Sequence, residues 1–245
     1  MAMERIDANC ILGRWTSGGP TYRDAGELLV AMDELGIDGA LVRHSLGAGY
    51  DLAWANVLLS EQIAGSHRLI PCWAAIPRTM GERDAGEPAA VPVGARAVCV
   101  YPATHGYPAE PWALAPLLGP LAEQHALLLI EAAECDWASL DRLAAAFAGL
   151  RLLLLSPGYR ALRPLYILLD RHPNLHVDLS NLATFRGIEA LAARAGPERL
   201  LFGTGQPRND GAGIVAALNY VDLDEAGRAA ILGGNLRRLL VEVAA

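Results

Sequence analysis

The chain has no lysine: all 20 basic residues among its 245 are arginine. That absence excludes chemistry that needs a side-chain amine, including Schiff-base and pyridoxal-phosphate catalysis, a carboxylated-lysine metal bridge and a phosphate-loop lysine. Cysteine is scarce. Cys10, Cys72, Cys99 and Cys135 show no C-x-x-C spacing, and most sit in apolar runs, so buried reduced thiols are expected rather than a zinc site or a disulfide frame. Long hydrophobic runs are missing too. Stretches such as 126–130 and 152–155 fall far short of the roughly 18–20 apolar residues of a membrane span. Residues 1–9 carry Glu4, Arg5 and Asp7 without an apolar segment, so no secretory signal is expected and the cytoplasm is the expected compartment.

Other signatures are absent or out of place. There is no G-x-S-x-G nucleophile elbow. Gly211-Ala212-Gly213-Ile214-Val215-Ala216 fits the loose dinucleotide pattern, but it lies late in the chain, without the βαβ context and acidic ribose partner that give the pattern meaning. No cofactor is therefore expected. The net charge is −7 and the arginines are scattered, which argues against nucleic acid and anionic membrane. The expected partner is a small-molecule ligand, with homo- or hetero-oligomers left open.

What is present is apolar: 53% of residues are hydrophobic and 19% charged, enough for a sizeable core. Short strand-like runs at 6–12, 39–44, 69–76, 97–101, 127–131, 151–156, 175–180 and 200–204 alternate with helical patterns. Leu162, Leu165, Tyr166 and Leu169, for example, recur at helical spacing. Eight strand–helix units imply an α/β chain folded as one (β/α)8 TIM barrel over residues 1–245. In the third unit, residues 79–93 are rich in Gly, Pro and Ala, so a loop is expected in place of the helix.

Such barrels carry their chemistry at the C-terminal ends of the strands. Those ends hold Asn9, Arg14, Arg43, His44, Trp73, Tyr101, His105, Glu131, Ser156, Tyr159, Asn181 and Gln206. Glu131, at an apolar strand end, is the sharpest catalytic candidate: partial desolvation favours general acid–base work. Its structural alternative is an ion pair with Arg14 or Arg43. His44 is either a second proton carrier or a rim histidine bonded to backbone. Arg14 and Arg43 could grip a carbonyl or an anion with forked hydrogen bonds, or pair with Glu131, Glu134 or Asp178. Trp73 and Tyr101 read equally well as a ligand wall or as core. His105 reads as pocket lining or a solvated loop residue, and Asp178 as a residue bonded within the barrel.

Four ordered stretches add a further expectation. Ile6-Asp7-Ala8-Asn9-Cys10-Ile11-Leu12-Gly13 is close to I-D-x-H-x-H-x-G. Residues 171–180, RHPNLHVDLS, match R-x-P-N-x-x-x-D-x-S. Residues 199–207, RLLFGTGQP, match R-x-x-F-G-[ST]-D-x-P except at Gly205, and 231–239, ILGGNLRRL, are close to I-L-x-x-N-A-x-R-L. Together they resemble the amidohydrolase-related family of metal-dependent barrel hydrolases and decarboxylases. The resemblance implies five metal ligands, falling here on Asn9, Ile11, Glu131, Ser156 and Gly205. None is the histidine or aspartate of the family pattern, so no metal is expected. The function this implies is metal-independent hydrolysis of a small lactone or amide. The alternative is a non-catalytic pseudoenzyme that binds a ligand or stabilises a partner.

Overall fold

The computed structural model describes residues 3–15, 18–77, 94–182 and 184–241. Its strands are β1 (Ile6–Leu12), β2 (Gly39–His44), β3 (Leu69–Pro71), β4 (Trp73–Ala74), β5 (Ala97–Val100), β6 (Leu127–Glu131), β7 (Arg151–Leu155), β8 (Leu175–Asp178) and β9 (Leu200–Leu201). Between and after them lie α1 (Ala25–Leu35), α2 (Leu46–Gly49), α3 (Leu52–Ile63), α4 (Pro102–His105), α5 (Pro111–Glu123), α6 (Trp137–Ala146), α7 (Leu162–Arg171), α8 (Gly187–Ala195), α9 (Gly211–Tyr220), α10 (Glu225–Ala229) and α11 (Asn235–Val241). The stretch 79–93, expected as a loop, lies outside the described residues.

All strand pairs are parallel, in the order β1-β2-β3 and β4-β5-β6-β7-β8-β9. β3 and β4 form one barrel strand interrupted at Cys72, whose N–H still donates to Val42 O at 2.8 Å. The ring closes beyond β9. Ala8 N donates to Phe202 O at 2.9 Å, Gly205 N to Asn9 O at 3.0 Å and Ile11 N to Gln206 O at 3.0 Å. The single (β/α)8 barrel expected from the strand–helix alternation is the observed architecture.

Period-two alternation builds two cores. Ala97, Cys99, Leu127, Leu129, Leu153 and Leu155 fill the barrel, while Val98, Leu128, Ile130, Leu152 and Leu154 pack outward against helices. Each fully buried leucine is worth about 1.5–3 kcal/mol relative to exposure. The helices start at definite points because aspartates accept from their first-turn N–H groups: Asp24 caps α1, Asp51 α3, Asp136 α6, Asp210 α9 and Asp224 α10. Among the described residues, no helix is long and apolar enough to cross a membrane.

Candidate active site

Strand parity decides which side chains meet at the mouth. Leu41 faces the interior, so Arg43 does too; Leu127 and Leu129 carry Glu131 with them. On β8, His176 and Asp178 alternate with the outward Leu175 and Val177, and Ser180 continues the inward row. β1 needs a correction to its parity. Its register with β2 shifts between Asp7 and Cys10, a bulge that turns Asn9 inward although Ala8 also faces the barrel.

Asn9 is the hub of the mouth. Its Nδ2 donates to Asp178 Oδ2 at 2.7 Å and lies 3.2 Å from both Ser156 Oγ and Ser180 Oγ. Its Oδ1 accepts from Arg43 Nη2 at 2.6 Å. The same nitrogen donates to Glu131 Oε1 at 2.8 Å, an ion pair whose side chains are 3% and 15% exposed. Burial disfavours the Arg43 cation, but the Glu131 carboxylate outweighs it, so the guanidinium pKa is raised. Arg43 Nε has no hydrogen-bond partner among the described residues.

Asp178 closes the opposite side. Its carboxylate accepts from Ser156 N at 3.1 Å, Ser180 N at 2.9 Å and Ser180 Oγ at 2.5 Å. Complete burial pushes its pKa up to about 6, against the pull of these donors. Gly203 makes room for it, since a Cβ there would overlap Asp178 Oδ1. Ser156 departs from parity. Leu153 and Leu155 point inward, so an extended Ser156 would point out; at φ 50° the backbone turns its hydroxyl back to Asn9 and Ser180.

The other candidates separate. His44 shares the outward side of β2 with Val42; its Nδ1 accepts from Leu46 N at 3.3 Å, and burial lowers its pKa. It is therefore a rim histidine, away from Glu131. Arg14 is exposed on the loop after β1, on the side of Glu27, and its carbonyl accepts from Ser45. Trp73 sits between the inward Cys72 and Ala74 and packs outward with the strand–helix core, so it is not part of a mouth wall. Tyr101 is interior: it accepts from Cys99 Sγ at 3.3 Å and meets the His105 ring edge-on at 5.7 Å. His105 Nε2 lies 3.2 Å from Ala48 O. Tyr159 is exposed beneath Arg160, and Asn181 is exposed beside Gly158. Gln206 is buried, but its carboxamide packs on Gly211 at the start of α9. Cys10, Cys72 and Cys99 are buried free thiols, and Cys135 is partly buried.

An amidohydrolase family model matches residues 19–240. The chain belongs to the amidohydrolase family. No curated protein matches it. Solved structures that it resembles include an uncharacterized TIM-barrel protein of Bordetella bronchiseptica, at 16% identity and TM-score 0.77, covering 98% of this chain and 99% of that one. A 2,6-dihydroxybenzoate decarboxylase from Rhizobium is 15% identical with TM-score 0.73, covering 98% and 99%. A Pseudomonas putida protein provisionally named 2-pyrone-4,6-dicarboxylic acid hydrolase is 16% identical with TM-score 0.70, covering 100% of each chain. At these identities the likeness is one of fold.

The metal ligands implied by the amidohydrolase resemblance can be tested against this geometry. Asn9, Ile11, Glu131, Ser156 and Gly205 supply one carboxylate, a carboxamide and a hydroxyl, and the carboxylate already holds the Arg43 cation. Gly205 has φ 68°, and a Cβ there would overlap Asn209 Nδ2, so an aspartate does not fit that backbone unchanged. Among the described residues, no group of three or more His, Cys, Asp or Glu side chains is arranged for a metal ion. These residues do not fit a divalent cation.

Proposed function

We propose that this amidohydrolase hydrolyses a small lactone or amide without a divalent metal, using Arg43 and Glu131 at the barrel mouth. One observation carries the reading: a buried guanidinium lies 2.8 Å from a partly exposed carboxylate among the family's ligand positions. Fixed positive charge in a poorly hydrated site stabilises a developing oxyanion. A carboxylate beside it can take a proton from attacking water and return it to the leaving oxygen or nitrogen. The net change is addition of water across the acyl bond. The hydrolase and decarboxylase neighbours support a small carbonyl substrate, and the provisional name of the P. putida protein refers to a pyrone, a cyclic ester.

The test is a panel of lactones, esters and amides assayed in the presence of EDTA. Turnover is expected to survive the chelator and to fall at least about a hundredfold in Glu131→Gln, the scale of a lost general base. Unchanged activity in that variant, or activity only after zinc or manganese is added, overturns the reading.

The ion pair itself favours a second reading, in which Glu131 and Arg43 satisfy one another and the barrel binds a ligand or steadies a partner without turnover. A ligand that raises the melting temperature but is recovered unchanged supports this alternative.

A further inference from the structure

We propose that Ser156 is a nucleophile, coupled through the Ser180 hydroxyl to the Asp178 carboxylate, and that it forms a covalent adduct with activated esters. The direction of the proton chain follows from valence. Ser180 has one hydroxyl proton, and it is directed at Asp178 Oδ2, 2.5 Å away. Ser180 Oγ is then an acceptor toward Ser156 Oγ, 3.3 Å distant, so within this pair Ser156 is the donor. Exposure is graded along the chain: Ser156 and Ser180 are partly exposed, whereas Asp178 is fully buried. A substrate thus reaches the hydroxyl but not the carboxylate.

Two features distinguish this from serines that merely fill hydrogen bonds. Ser156 is a non-glycine residue at φ 50°, a conformation that costs about 1–3 kcal/mol and that brings its Oγ to the mouth. Asn9 Nδ2, 3.2 Å from Ser156 Oγ, is braced from behind by Arg43, so a donor backed by a cation stands beside the attacking atom.

The steps balance. Ser156 Oγ bonds to the acyl carbon as its proton passes to Ser180 and the Ser180 proton passes to Asp178. The bond from carbon to the leaving oxygen breaks, and Asp178 returns the proton through Ser180 to that oxygen. Water then adds to the acyl-Ser156 ester, Glu131 taking its proton and returning it to Oγ as the bond from Oγ to carbon breaks. Only this second, deacylating step rests on the hydrolytic reading above.

Diisopropyl fluorophosphate tests the first step without a known substrate, since attack forms the Oγ–P bond and expels fluoride. One adduct per chain is expected, mapped to Ser156 by peptide mass spectrometry. Ser156→Gly should abolish it while remaining folded, because glycine adopts that φ freely. Ser180→Ala should slow labelling at least tenfold, and Ser180→Thr should restore most of the rate. Asp178→Asn should slow labelling as much as Ser180→Ala, and the double variant no further, a non-additivity that a purely structural carboxylate would not produce. Wild-type labelling no faster than Ser156→Gly, an adduct on another residue, or an unchanged rate in Ser180→Ala overturns the proposal. Hydrolysis that depends on Glu131 with no adduct sinks this inference and spares the proposed function. An adduct without hydrolysis of any ester, lactone or amide does the reverse.

Discussion

Arg43 of β2 reaches through the barrel to Glu131 of β6, and the same nitrogen holds Asn9 of β1. The contact ties three strands together at the mouth and keeps two opposite charges almost out of water. Removing one partner leaves the other charge in a poorly hydrated place, which costs far more than the pair contributes. Arg43→Met is therefore expected to lower unfolding free energy by about 2–4 kcal/mol, less than for a fully buried pair because Glu131 keeps some exposure. Arg43→Met/Glu131→Gln should recover much of that loss. Urea unfolding of the three proteins measures it, and a double variant as unstable as the single one would mean that the pair's charge is not the cause.

Gly203→Ala is expected to destabilise the protein by at least about 2 kcal/mol. The added methyl meets Asp178 Oδ1, a buried oxygen that cannot move without breaking its bond from Ser180 N. Thermal denaturation compared with Gly213→Ala, where a Cβ meets nothing within 4 Å, separates this clash from a general cost of replacing glycine.

Zinc and manganese chlorides should leave the melting temperature of the wild-type chain unchanged, because Arg43 already neutralises the one carboxylate among the implied ligand positions. Gly205→Asp alone should destabilise rather than create a site, since the backbone there lies at φ 68° and Asn209 fills the space. A metal-dependent rise in melting temperature in either protein would contradict the donor-set argument.

Acid stability should depend on His176. Burial, then Arg199 and Arg238, push its pKa down to about 3, whereas in the unfolded chain it titrates near 6.5. Below pH 6.5 the unfolded state binds the extra proton, so stability falls with pH by up to about 1.4 kcal/mol per unit until the folded imidazole titrates. Asp178 acts in the opposite sense. Its pKa is raised to about 6, so the folded state binds the proton first, and stability from this group falls as pH rises from about 4 through 6. The urea midpoint of His176→Leu should rise relative to that of wild type as pH falls from 6.5 to 4.5, because the variant loses the imidazole contribution and keeps that of Asp178. Parallel pH profiles would exclude His176 as the source.

Much of the site could be anticipated from strand ends alone. Arg43, Glu131, Asn9 and Ser156 lie at the predicted positions and do come together, and Asp178 is bonded within the barrel as its place in the strand suggested. His44 and Trp73 share those ends but turn outward, because the side-chain period of a strand is two and proximity in sequence places neighbours on opposite faces. Ser180 sits on the inward row of β8, a signal present in the alternation of 176, 178 and 180, yet nothing in its sequence context announces a partner across the barrel.

Amino-acid order by itself determined the alternating α/β pattern, the apolar strands that demand a barrel, and the exclusion of lysine chemistry, since these depend on composition and local periodicity. Which polar side chains touch was decided only by the closed ring. A bulge in β1 and a left-handed turn at Ser156 each change the direction of one side chain, and small backbone rotations of that kind leave no trace in hydrophobic pattern. They matter here because the groups they join are buried, where a bond made or missed is not compensated by water.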